Sequence, residues 1–292
     1  MAGGPIQDGP NAQQGLIRTT GGQSAPLLKT LGYHVCMGLK GKVVFITGAS
    51  AGIGAATTFA FAVEGAKLLL AARRADKLEA VAQQARERGA GAVHTFTLDV
   101  RDQKAVEKSI ADLPAEWAAI DILVNNAGLS RGLEKVYAGS IQDWEEMIDT
   151  NVKGLLYVTR AVVPGMVERG SGHVINLGST AGDMTYPNGA VYCGTKAAER
   201  AINDGLRQDL LGTKVRVTSV DPGMVETEFS VVRFRGDEER AAKVYQNITP
   251  LTAEDVAETI VWAASRPAHV NIARVLMTCT QQANSLLFAR DA

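Results

Sequence analysis

The stretch that decides the fold covers residues 42–54 and reads Lys-Val-Val-Phe-Ile-Thr-Gly-Ala-Ser-Ala-Gly-Ile-Gly. Its first part, residues 42–46, is a short apolar run typical of a buried parallel strand. A glycine-rich turn follows, and a helical pattern then continues to about residue 64. Strand, glycine turn and helix in this order predict a dinucleotide-binding α/β fold.

The glycines explain the preference for a dinucleotide. They permit a tight turn and let the backbone approach a pyrophosphate closely, and the N-terminus of the following helix favours the negative charge. A glycine turn alone is a common feature, so the prediction depends on its place between a buried strand and a helix. The contacts expected from this turn come from Gly48, Ser50, Gly52, Ile53 and Gly54.

Two arginines indicate which dinucleotide is bound. A second apolar run, residues 66–71, leads to Arg73 and Arg74. In an NAD-binding fold an acidic residue about 20 positions after the glycines takes the ribose hydroxyls. Arg73 stands there instead (73 − 54 = 19). Guanidinium groups bind a 2′-phosphate through paired donors, so the sequence favours NADP over NAD. The alternative is that both arginines simply begin the next helix.

The rest of the chain continues the alternation. Further apolar runs lie at 93–98, 122–124, 173–177, 215–220 and 275–279, and helical patterns lie at 105–113, 141–168 and 253–264. This order predicts an α/β fold with a single doubly wound parallel sheet of the Rossmann type and helices on both faces. Ligands of such sheets bind outside the carboxyl ends of the strands. Asp99, Asn125 and Ser179 lie at three of these ends.

A tyrosine and a lysine suggest acid–base chemistry. Tyr192 and Lys196 are four residues apart, so on a helix they share one face, roughly 6 Å apart along the axis. A phenol normally titrates near pH 10, and a neighbouring ammonium group favours its ionised form. Ser179 could hold a carbonyl oxygen while Tyr192 protonates it. Taken alone, the motif is more often a surface pair on an ordinary helix, so the rest of the chain must decide.

Together these motifs resemble one family. The chain is similar to the short-chain dehydrogenases/reductases from about residue 38 to its end, in order and in spacing. The matching elements are Thr47-Gly48-x3-Gly52-Ile53-Gly54, Asn125-Asn126-Ala127-Gly128, Asn151, Ser179, Tyr192-x3-Lys196 and Asp221-Pro222-Gly223. Within the family the chain most resembles the NADP-dependent 3-hydroxy acid dehydrogenases, through residues 149–154, 160–166, 225–237, 245–247 and 267–272.

The resemblance implies a role for each matching residue. Tyr192 would be the general acid/base, and Lys196 would lower its pKa and hold the nicotinamide ribose. Ser179 would orient the substrate oxygen, and Asn151 would support a water that leads protons from Lys196 to solvent. Thr227 would hold the carboxamide of the nicotinamide. The remaining expected cofactor contacts are Asp99, Val100, Asn126, Gly128, Pro222 and Gly223, besides Tyr192 and Lys196 themselves.

Four charged residues are candidates for contact with substrate. Arg131 follows the Asn-Asn-Ala-Gly turn, and Arg233 and Arg235 lie in a long segment, residues 224–247, that we expect to close over the substrate. Each arginine could pair with a substrate carboxylate or belong to an ordinary charged surface. Asp183 could recognise the amino group of a substrate such as serine.

The preferred function is therefore an NADP-dependent oxidoreductase that interconverts the 3-hydroxyl and 3-oxo forms of short hydroxy acids or amino acids. Serine, allo-threonine and 3-hydroxypropionate are substrates of this type. One alternative is an NADPH-dependent reductase of another carbonyl compound, namely a bulky ketone, a sugar or an acyl thioester. A second alternative is a non-catalytic regulator that binds NADP on the same fold.

Composition restricts the partners. The formal net charge of −1 gives no electrostatic reason to expect nucleic acid or an anionic membrane as a partner. Cys36, Cys193 and Cys279 are widely spaced and lack metal-ligand spacing, so we expect free thiols, a cytoplasmic location and no metal site. The resemblance implies a homotetramer that acts on a small molecule.

The first residues differ in composition from the rest. Residues 1–36 are rich in Gly, Gln, Pro and Thr, which predicts disorder. We expect them to be a leader, a vector-derived segment or an upstream extension. Residues 37–292, beginning at Met37, are expected to form a single NADP-binding oxidoreductase domain.

Overall fold

The computed structural model describes residues 38–291, and seven parallel strands lie at their centre. The predictions for residues 1–36, for Cys36 and for Met37 lie outside the described residues. The strands are β1 (Val43–Thr47), β2 (Lys67–Ala72), β3 (Ala92–Thr97), β4 (Ile122–Asn125), β5 (Gly172–Leu177), β6 (Val215–Pro222) and β7 (Arg274–Met277). Their spatial order is β3-β2-β1-β4-β5-β6-β7, which confirms the predicted doubly wound parallel sheet.

Helices cover both faces of the sheet. They are α1 (Gly52–Val63), α2 (Ala75–Glu87), α3 (Gln103–Ala111), α4 (Ala115–Ala118), α5 (Ile141–Ile148), α6 (Leu155–Arg169), α7 (Ala190–Asp209), α8 (Phe229–Arg233), α9 (Glu238–Val244) and α10 (Ala253–Ala264). Short 3₁₀ turns lie at Val136–Ala138 and Thr180–Gly182. Among these helices none has the length and apolar character that a membrane crossing requires.

The burial of β1 shows why its sequence is apolar throughout. Successive side chains of a strand point to opposite faces of the sheet. Val44 and Ile46 belong to a core cluster with residues of α1, α2 and α10, whereas Val43 and Phe45 belong to a cluster with residues of α3 and α6. Both faces of β1 are therefore buried, which is the arrangement that a continuous apolar run predicts.

The strand order fixes where a ligand can bind. From β1 the chain proceeds outward through β2 to β3, and it then returns to β4 on the other side of β1. The connections therefore diverge between β1 and β4, and a crevice opens beyond the carboxyl ends of these strands. The residues that follow β1, β2, β4, β5 and β6 all reach this edge.

The predicted long helix at 141–168 is interrupted. A π-helical turn, Asp149–Gly154, separates α5 from α6. The side chain of Asn151 in this turn is buried and forms three hydrogen bonds, with the backbone of Leu129 and the hydroxyl of Thr195. The prediction of one continuous helix was wrong here because these partners come from distant segments, and helical periodicity does not register them.

The predicted loop at 224–247 contains two short helices. They are α8 and α9, and the side chain of Asp237 accepts a hydrogen bond from the backbone N–H of Arg240 at the start of α9. Tyr245 then donates to the backbone oxygen of Val225, 3.0 Å away. The segment is therefore tied back to its own beginning and covers the crevice as a folded element.

The C-terminal residues pack against the same region. Gln282 is buried, and its Oε1 accepts a hydrogen bond from the N–H of Met224 at 2.8 Å. A Cβ on Gly223 would collide with the Gln282 side chain, so the glycine leaves space for it. The tail thereby supports the turn after β6 from within the same chain.

Candidate active site

A cavity of about 740 Å³ lies at the carboxyl edge of the sheet. Most of the cofactor and catalytic residues expected from the sequence line it. These are Gly48, Ser50, Gly52, Ile53, Arg73, Arg74, Asp99, Val100, Asn126, Gly128, Ser179, Tyr192, Lys196, Pro222, Gly223 and Thr227. Gly54 and Asn151 are not part of this lining and contact residues that are.

The glycine turn has the form that a pyrophosphate needs. Gly48 and Gly52 adopt positive φ angles of 65° and 53°, which favour glycine. A Cβ on Gly54 would lie only 2.5 Å from Nδ2 of Asn126, so the close packing of α1 against this turn also requires glycine. No side chain caps the N-terminus of α1, so its first backbone N–H groups are available to an anion.

Asn126 holds the turn from the neighbouring strand. Its Nδ2 donates to the backbone oxygens of Thr47, at 2.9 Å, and Gly48, at 3.2 Å. The hydroxyl of Thr47 accepts from the N–H groups of Asn126 and Ala127. The ends of β1 and β4 are thus connected by side chains, which gives the Asn-Asn-Ala-Gly motif a structural role beside the cofactor contact expected of Asn126.

A cluster of cationic side chains lies at the end of β2. Arg73 and Arg74 both line the cavity, and Arg74 also occupies the N-cap position of α2. Phosphate binding by the two arginines and their position at the start of α2 are therefore compatible, because the start of α2 faces the cavity. Lys77, one turn further along α2, lines the cavity as well. Lys77 was not predicted from the sequence, because Arg73 and Arg74 precede α2 and do not share a helix face with it.

Asp99, an expected cofactor contact, lines the cavity, and Arg101 already balances its charge. Its carboxylate accepts from Nε of Arg101 at 2.9 and 3.0 Å. Burial raises the pKa of Asp99, but the hydrogen bonds from Arg101 outweigh burial and bring the net pKa below its usual value.

Ser179, Tyr192 and Lys196 come together at the carboxyl end of β5. Ser179 caps the 3₁₀ turn after β5, and Tyr192 lies in the first turn of α7; both line the cavity. Lys196 lies one turn further along α7, and its Nζ donates to the backbone oxygen of Leu177 at 2.5 Å. The predicted spacing on one helix face therefore brings the phenol and the ammonium group to the same strand end.

The pKa of Tyr192 departs from the prediction. Only 9% of the residue is exposed, and this burial raises the pKa of its phenol. The positive charge of Arg233 and the hydrogen bond from Ser179 oppose the rise. The sequence predicts a lowered pKa caused by Lys196, but in the structure desolvation dominates. Burial likewise lowers the pKa of Lys196, against the opposing effects of Glu199 and Asp221.

Asn151 supports the catalytic turn from behind. Its Nδ2 donates to the backbone oxygen of Leu129 at 2.8 Å and to the hydroxyl of Thr195 at 3.0 Å. The Thr195 hydroxyl in turn donates to the backbone oxygen of Tyr192 at 2.7 Å. Asn151 is thus connected through one hydroxyl to the helical turn that carries Tyr192.

Three of the four charged substrate candidates are paired within the protein. Arg131 forms a two-pronged ion pair with Glu146, at 2.7 and 3.0 Å, and also donates to the backbone oxygen of Val232. Arg235 pairs with Asp143. Both arginines line the cavity, so their contact with a substrate carboxylate stays a prediction, although partners distant in sequence already pair with them.

Asp183 is neutralised in the same way. Its carboxylate pairs with Arg200 and Arg274, and the residue is not part of the cavity lining. Burial raises its pKa, but the hydrogen bonds and charges of Arg274 and Arg200 produce a net lowering. The prediction that Asp183 receives an amino group stays a prediction, and these two ion pairs weigh against it.

Arg233 differs from the other three candidates. Its guanidinium carbon lies 5.4 Å from the ring centre of Tyr192 and 5.1 Å from that of Phe229. One terminal nitrogen donates to the hydroxyl of Tyr186 at 3.0 Å. Its Nε is buried without a hydrogen-bond partner, and no carboxylate within residues 38–291 pairs with it. A positive charge with an unused donor thus lies beside the candidate catalytic phenol.

Residues 42–238 match the family model described as short chain dehydrogenase. The chain belongs to the short-chain dehydrogenase family. This confirms the resemblance deduced from the sequence motifs, and it applies to the part of the chain that carries the glycine turn, Ser179, Tyr192 and Lys196.

Several members of the short-chain dehydrogenase family are close relatives. The NADP-dependent 3-hydroxy acid dehydrogenase YdfG of Salmonella typhi is 52% identical over 241 residues, which are 82% of this chain and 96% of the relative. The NADP-dependent 3-hydroxy acid dehydrogenase of Schizosaccharomyces pombe is 46% identical over 245 residues, 84% and 95% of the two chains.

A solved structure of the family supports the same comparison. It is the closed form of a serine dehydrogenase complexed with NADP⁺, which is 49% identical in sequence. The TM-score is 0.80, and the match covers 86% of this chain and all of the other. The fold described above is therefore the fold of a short-chain dehydrogenase.

A resident metal is not indicated by the side chains. Within residues 38–291 no group of three or more His, Cys, Asp or Glu side chains is placed to hold a metal ion. Cys193 and Cys279 are both buried free thiols.

Proposed function

We propose that the protein is an NADP-dependent oxidoreductase that interconverts the 3-hydroxyl and 3-oxo groups of short hydroxy acids or amino acids. The observation that carries the proposal is the joint placement of Ser179, Tyr192 and Lys196 in a cavity that also contains the glycine turn. The proposed substrates are compounds such as 3-hydroxypropionate, serine and allo-threonine, in agreement with the names of the close relatives.

The cofactor preference is supported by the cations after β2. Arg73, Arg74 and Lys77 would hold the 2′-phosphate, because guanidinium and ammonium groups bind phosphate oxygens with charge-assisted hydrogen bonds. The turn at Gly48 and the N-terminus of α1 would hold the pyrophosphate. Lys196 and Thr227 would hold the nicotinamide end. When bound, the nicotinamide supplies or accepts the hydride.

Tyr192 moves the proton in this mechanism. During reduction its phenol donates to the carbonyl oxygen that Ser179 orients, and during oxidation the phenolate takes the proton of the substrate hydroxyl. Since burial raises the pKa of Tyr192, the phenolate requires nearby positive charge. Arg233 supplies positive charge beside the phenol, and Lys196, one turn further along α7, would add to it.

Arg233, which lies beside Tyr192 but is not part of the cavity lining, is our candidate for selecting a carboxylate. A buried donor without a partner is costly, and a carboxylate oxygen would satisfy it. The planar guanidinium group could engage both carboxylate oxygens. Because Asp183 is paired with two arginines, the amino group of serine has no anionic partner at that position. The site would therefore accept 3-hydroxy acids with or without an amino group.

A substrate screen tests this proposal. L-serine, L-allo-threonine, 3-hydroxypropionate and malonic semialdehyde are offered with NADP(H) and with NAD(H), beside a panel of bulky ketones, and nicotinamide absorbance is followed. We expect NADP-linked turnover of the small acids. Turnover of ketones alone would contradict the carboxylate selection, and tight NADPH binding without any turnover would indicate a regulator.

We also propose that the enzyme is a homotetramer in the cytoplasm. The tetramer rests on the family resemblance, and exposed Leu276, Leu286 and Leu287 near the last strand are apolar surface that a second copy could cover. The free thiols Cys193 and Cys279 suit a reducing compartment. Light scattering should give four chain masses, and cell fractionation should place the activity in the cytoplasm. A single chain mass, or activity confined to another compartment, would contradict the corresponding statement.

Residues 37–292 are proposed to be sufficient for this activity. A chain that begins at Met37 should fold and retain the kcat/KM of the full chain. Loss of folding or of activity in this truncated chain would contradict the proposed domain boundary.

A further inference from the structure

Glu228 bridges two of the cations that lie at the end of β2. Its Oε2 accepts from a terminal nitrogen of Arg74 at 2.9 Å, and its Oε1 accepts from Nζ of Lys77 at 2.8 Å. These contacts join the start of α2 to the residue before α8, which is 154 positions away from Arg74. Both oxygens of one carboxylate are therefore used to hold two cations from another part of the chain.

The bridge lies inside the part of the cavity that is suited to a phosphate. Arg73, Arg74, Lys77, Ser50 and Glu228 all line the cavity. The other terminal nitrogen of Arg74 lies 3.4 Å from the hydroxyl of Ser50, which is part of the glycine turn. Within residues 38–291 Arg73 forms no ion pair. Arg73 is thus unpaired, whereas the carboxylate of Glu228 forms ion pairs with Arg74 and Lys77.

We propose that Glu228 competes with the 2′-phosphate of the cofactor for Arg74 and Lys77 and thereby limits how strongly the protein distinguishes NADP from NAD. This inference rests on the proposed function, since it requires that NADP is the cofactor. It assigns Lys77 and Glu228 to cofactor selection, together with the two arginines that the sequence indicated.

Charge and exposure explain why the phosphate can displace Glu228. A phosphate monoester carries a charge of about −1.5 to −2 near pH 7, whereas the carboxylate carries −1. The exposed fractions of the Arg74, Lys77 and Glu228 side chains are 43%, 44% and 45%, so water screens both ion pairs. Such exposed pairs contribute little stability, and the stronger anion replaces the weaker one at a modest cost in affinity. NAD has no 2′-phosphate and leaves the Glu228 bridge intact.

The position of Glu228 also connects cofactor selection with the catalytic side of the cavity. The residue before it, Thr227, lies against Gly52 of the glycine turn, 3.4 Å from where a Cβ would be. The residue after it, Phe229, lies with its ring centre 5.7 Å from that of Tyr192. Displacement of Glu228 therefore acts on the segment that bears Phe229 and Arg233.

Binding titrations of the full-length protein without substrate test the proposal. NADPH and NADH are titrated by fluorescence, and 2′,5′-ADP and 5′-AMP by calorimetry, on wild type, Glu228→Gln and Glu226→Gln. Glu226 is an exposed acid in the same segment without an ion pair in the described part of the chain, so its variant is the matched control. Glu228→Gln should bind NADPH and 2′,5′-ADP about three- to tenfold more tightly. NADH, 5′-AMP and all affinities of Glu226→Gln should change less than about twofold.

A double-mutant cycle tests whether Lys77 is the shared partner. Lys77→Met should weaken NADPH binding about tenfold and leave NADH binding nearly unchanged. In the Lys77→Met background, Glu228→Gln should gain less affinity than in wild type, because one of the contested cations is gone. Equal gains in both backgrounds, or a Glu228→Gln variant with an unchanged NADPH-to-NADH ratio, would overturn the proposal.

The same titrations separate this inference from the proposed function. If wild type binds NADPH far more tightly than NADH but Glu228→Gln does not improve the ratio, the competition is refuted while the NADP preference stands. If wild type binds both cofactors equally, the proposed NADP preference itself fails, and the inference fails with it.

Discussion

At the residue scale, the motif residues line the cavity as the sequence indicates, whereas three of the four charged substrate candidates are already paired within the protein. Ser179, Tyr192 and Lys196 were predictable because a strand end and the i, i+4 spacing of a helix place them locally. The pairing of Arg131 with Glu146 depends on tertiary packing, and no short-range pattern in the sequence reports it. The sequence therefore indicates the chemistry more clearly than the recognition of the substrate.

Replacement of Arg233 should affect both substrate affinity and the ionisation of Tyr192. In Arg233→Met the KM for a 3-hydroxy acid should rise about 100-fold, because a charge-assisted pair is lost. Since Arg233 lowers the pKa of Tyr192, its removal should raise that pKa and move the pH profile of alcohol oxidation to higher pH.

Arg240 provides the matched control for this substitution. Its guanidinium group stacks on Phe234 at 4.3 Å, away from Tyr192. Arg240→Met should leave both the KM and the pH profile unchanged. An unchanged KM in Arg233→Met would show that Arg233 does not bind the carboxylate.

Glu199 should make stability depend on pH. Only 2% of this residue is exposed, and burial raises the pKa of its carboxyl to about 7, above the ordinary value of 4.5. The folded state therefore binds the proton more tightly than the unfolded state, and the stability that this provides is lost as pH rises from about 4.5 through about 7. Glu199→Gln should remove this loss, on the order of 2 kcal/mol in the free energy of unfolding.

Denaturant unfolding at about pH 5 and about pH 8 measures this effect. The loss of unfolding free energy between these two pH values should be smaller in Glu199→Gln than in wild type. The exposed control Glu258→Gln should show the same loss as wild type. Equal pH dependence in Glu199→Gln and wild type would show that the Glu199 carboxyl does not titrate in this range.

At the element scale, strands were predicted better than the connections between them. The observed β1 and β2 differ from the predicted runs by one residue at each end, and β5 differs by one residue at its start. The agreement is close because continuous apolar runs bounded by polar residues define buried strands. The π-helical turn at Asn151 was not predicted, since its cause is a set of hydrogen bonds to Leu129 and Thr195. Helices α8 and α9 are too short to show helical periodicity.

The junction of β1 and α1 should not tolerate a side chain at Gly54. In Gly54→Ala the new Cβ would collide with the backbone oxygen of Gly48 and the amide of Asn126, so α1 must shift away from the turn. We expect a loss of about 2 kcal/mol in unfolding free energy and at least about tenfold weaker NADPH binding. Thermal unfolding and fluorescence titration measure the two effects.

Gly205 in the middle of α7 is the control for this substitution. A Cβ there meets no atom within 4 Å, so Gly205→Ala should stabilise the protein by about 0.5–1 kcal/mol through higher helix propensity. Wild-type NADPH affinity in Gly54→Ala would contradict the role given to the turn.

At the scale of the whole molecule, the sheet brings the separate motifs to one edge. Six strands, β1 to β6, end at the cavity, and each supplies residues that are distant from the others in sequence. The alternation of strands and helices was enough to predict this edge, because parallel connections place all carboxyl ends on the same side. The way residues 224–247 close the cavity was not predictable, since it depends on contacts such as that between Glu228 and Lys77.

The central claim is that Tyr192 transfers the proton in an NADP-linked oxidation of a 3-hydroxy acid. The most direct test is NADPH formation from 3-hydroxypropionate by wild type and Tyr192→Phe, with NADPH affinity measured for both. Wild type should turn over, and Tyr192→Phe should lose at least about 1,000-fold in kcat while its NADPH affinity stays within about threefold. A Tyr192→Phe variant that keeps most of the wild-type kcat would contradict the account.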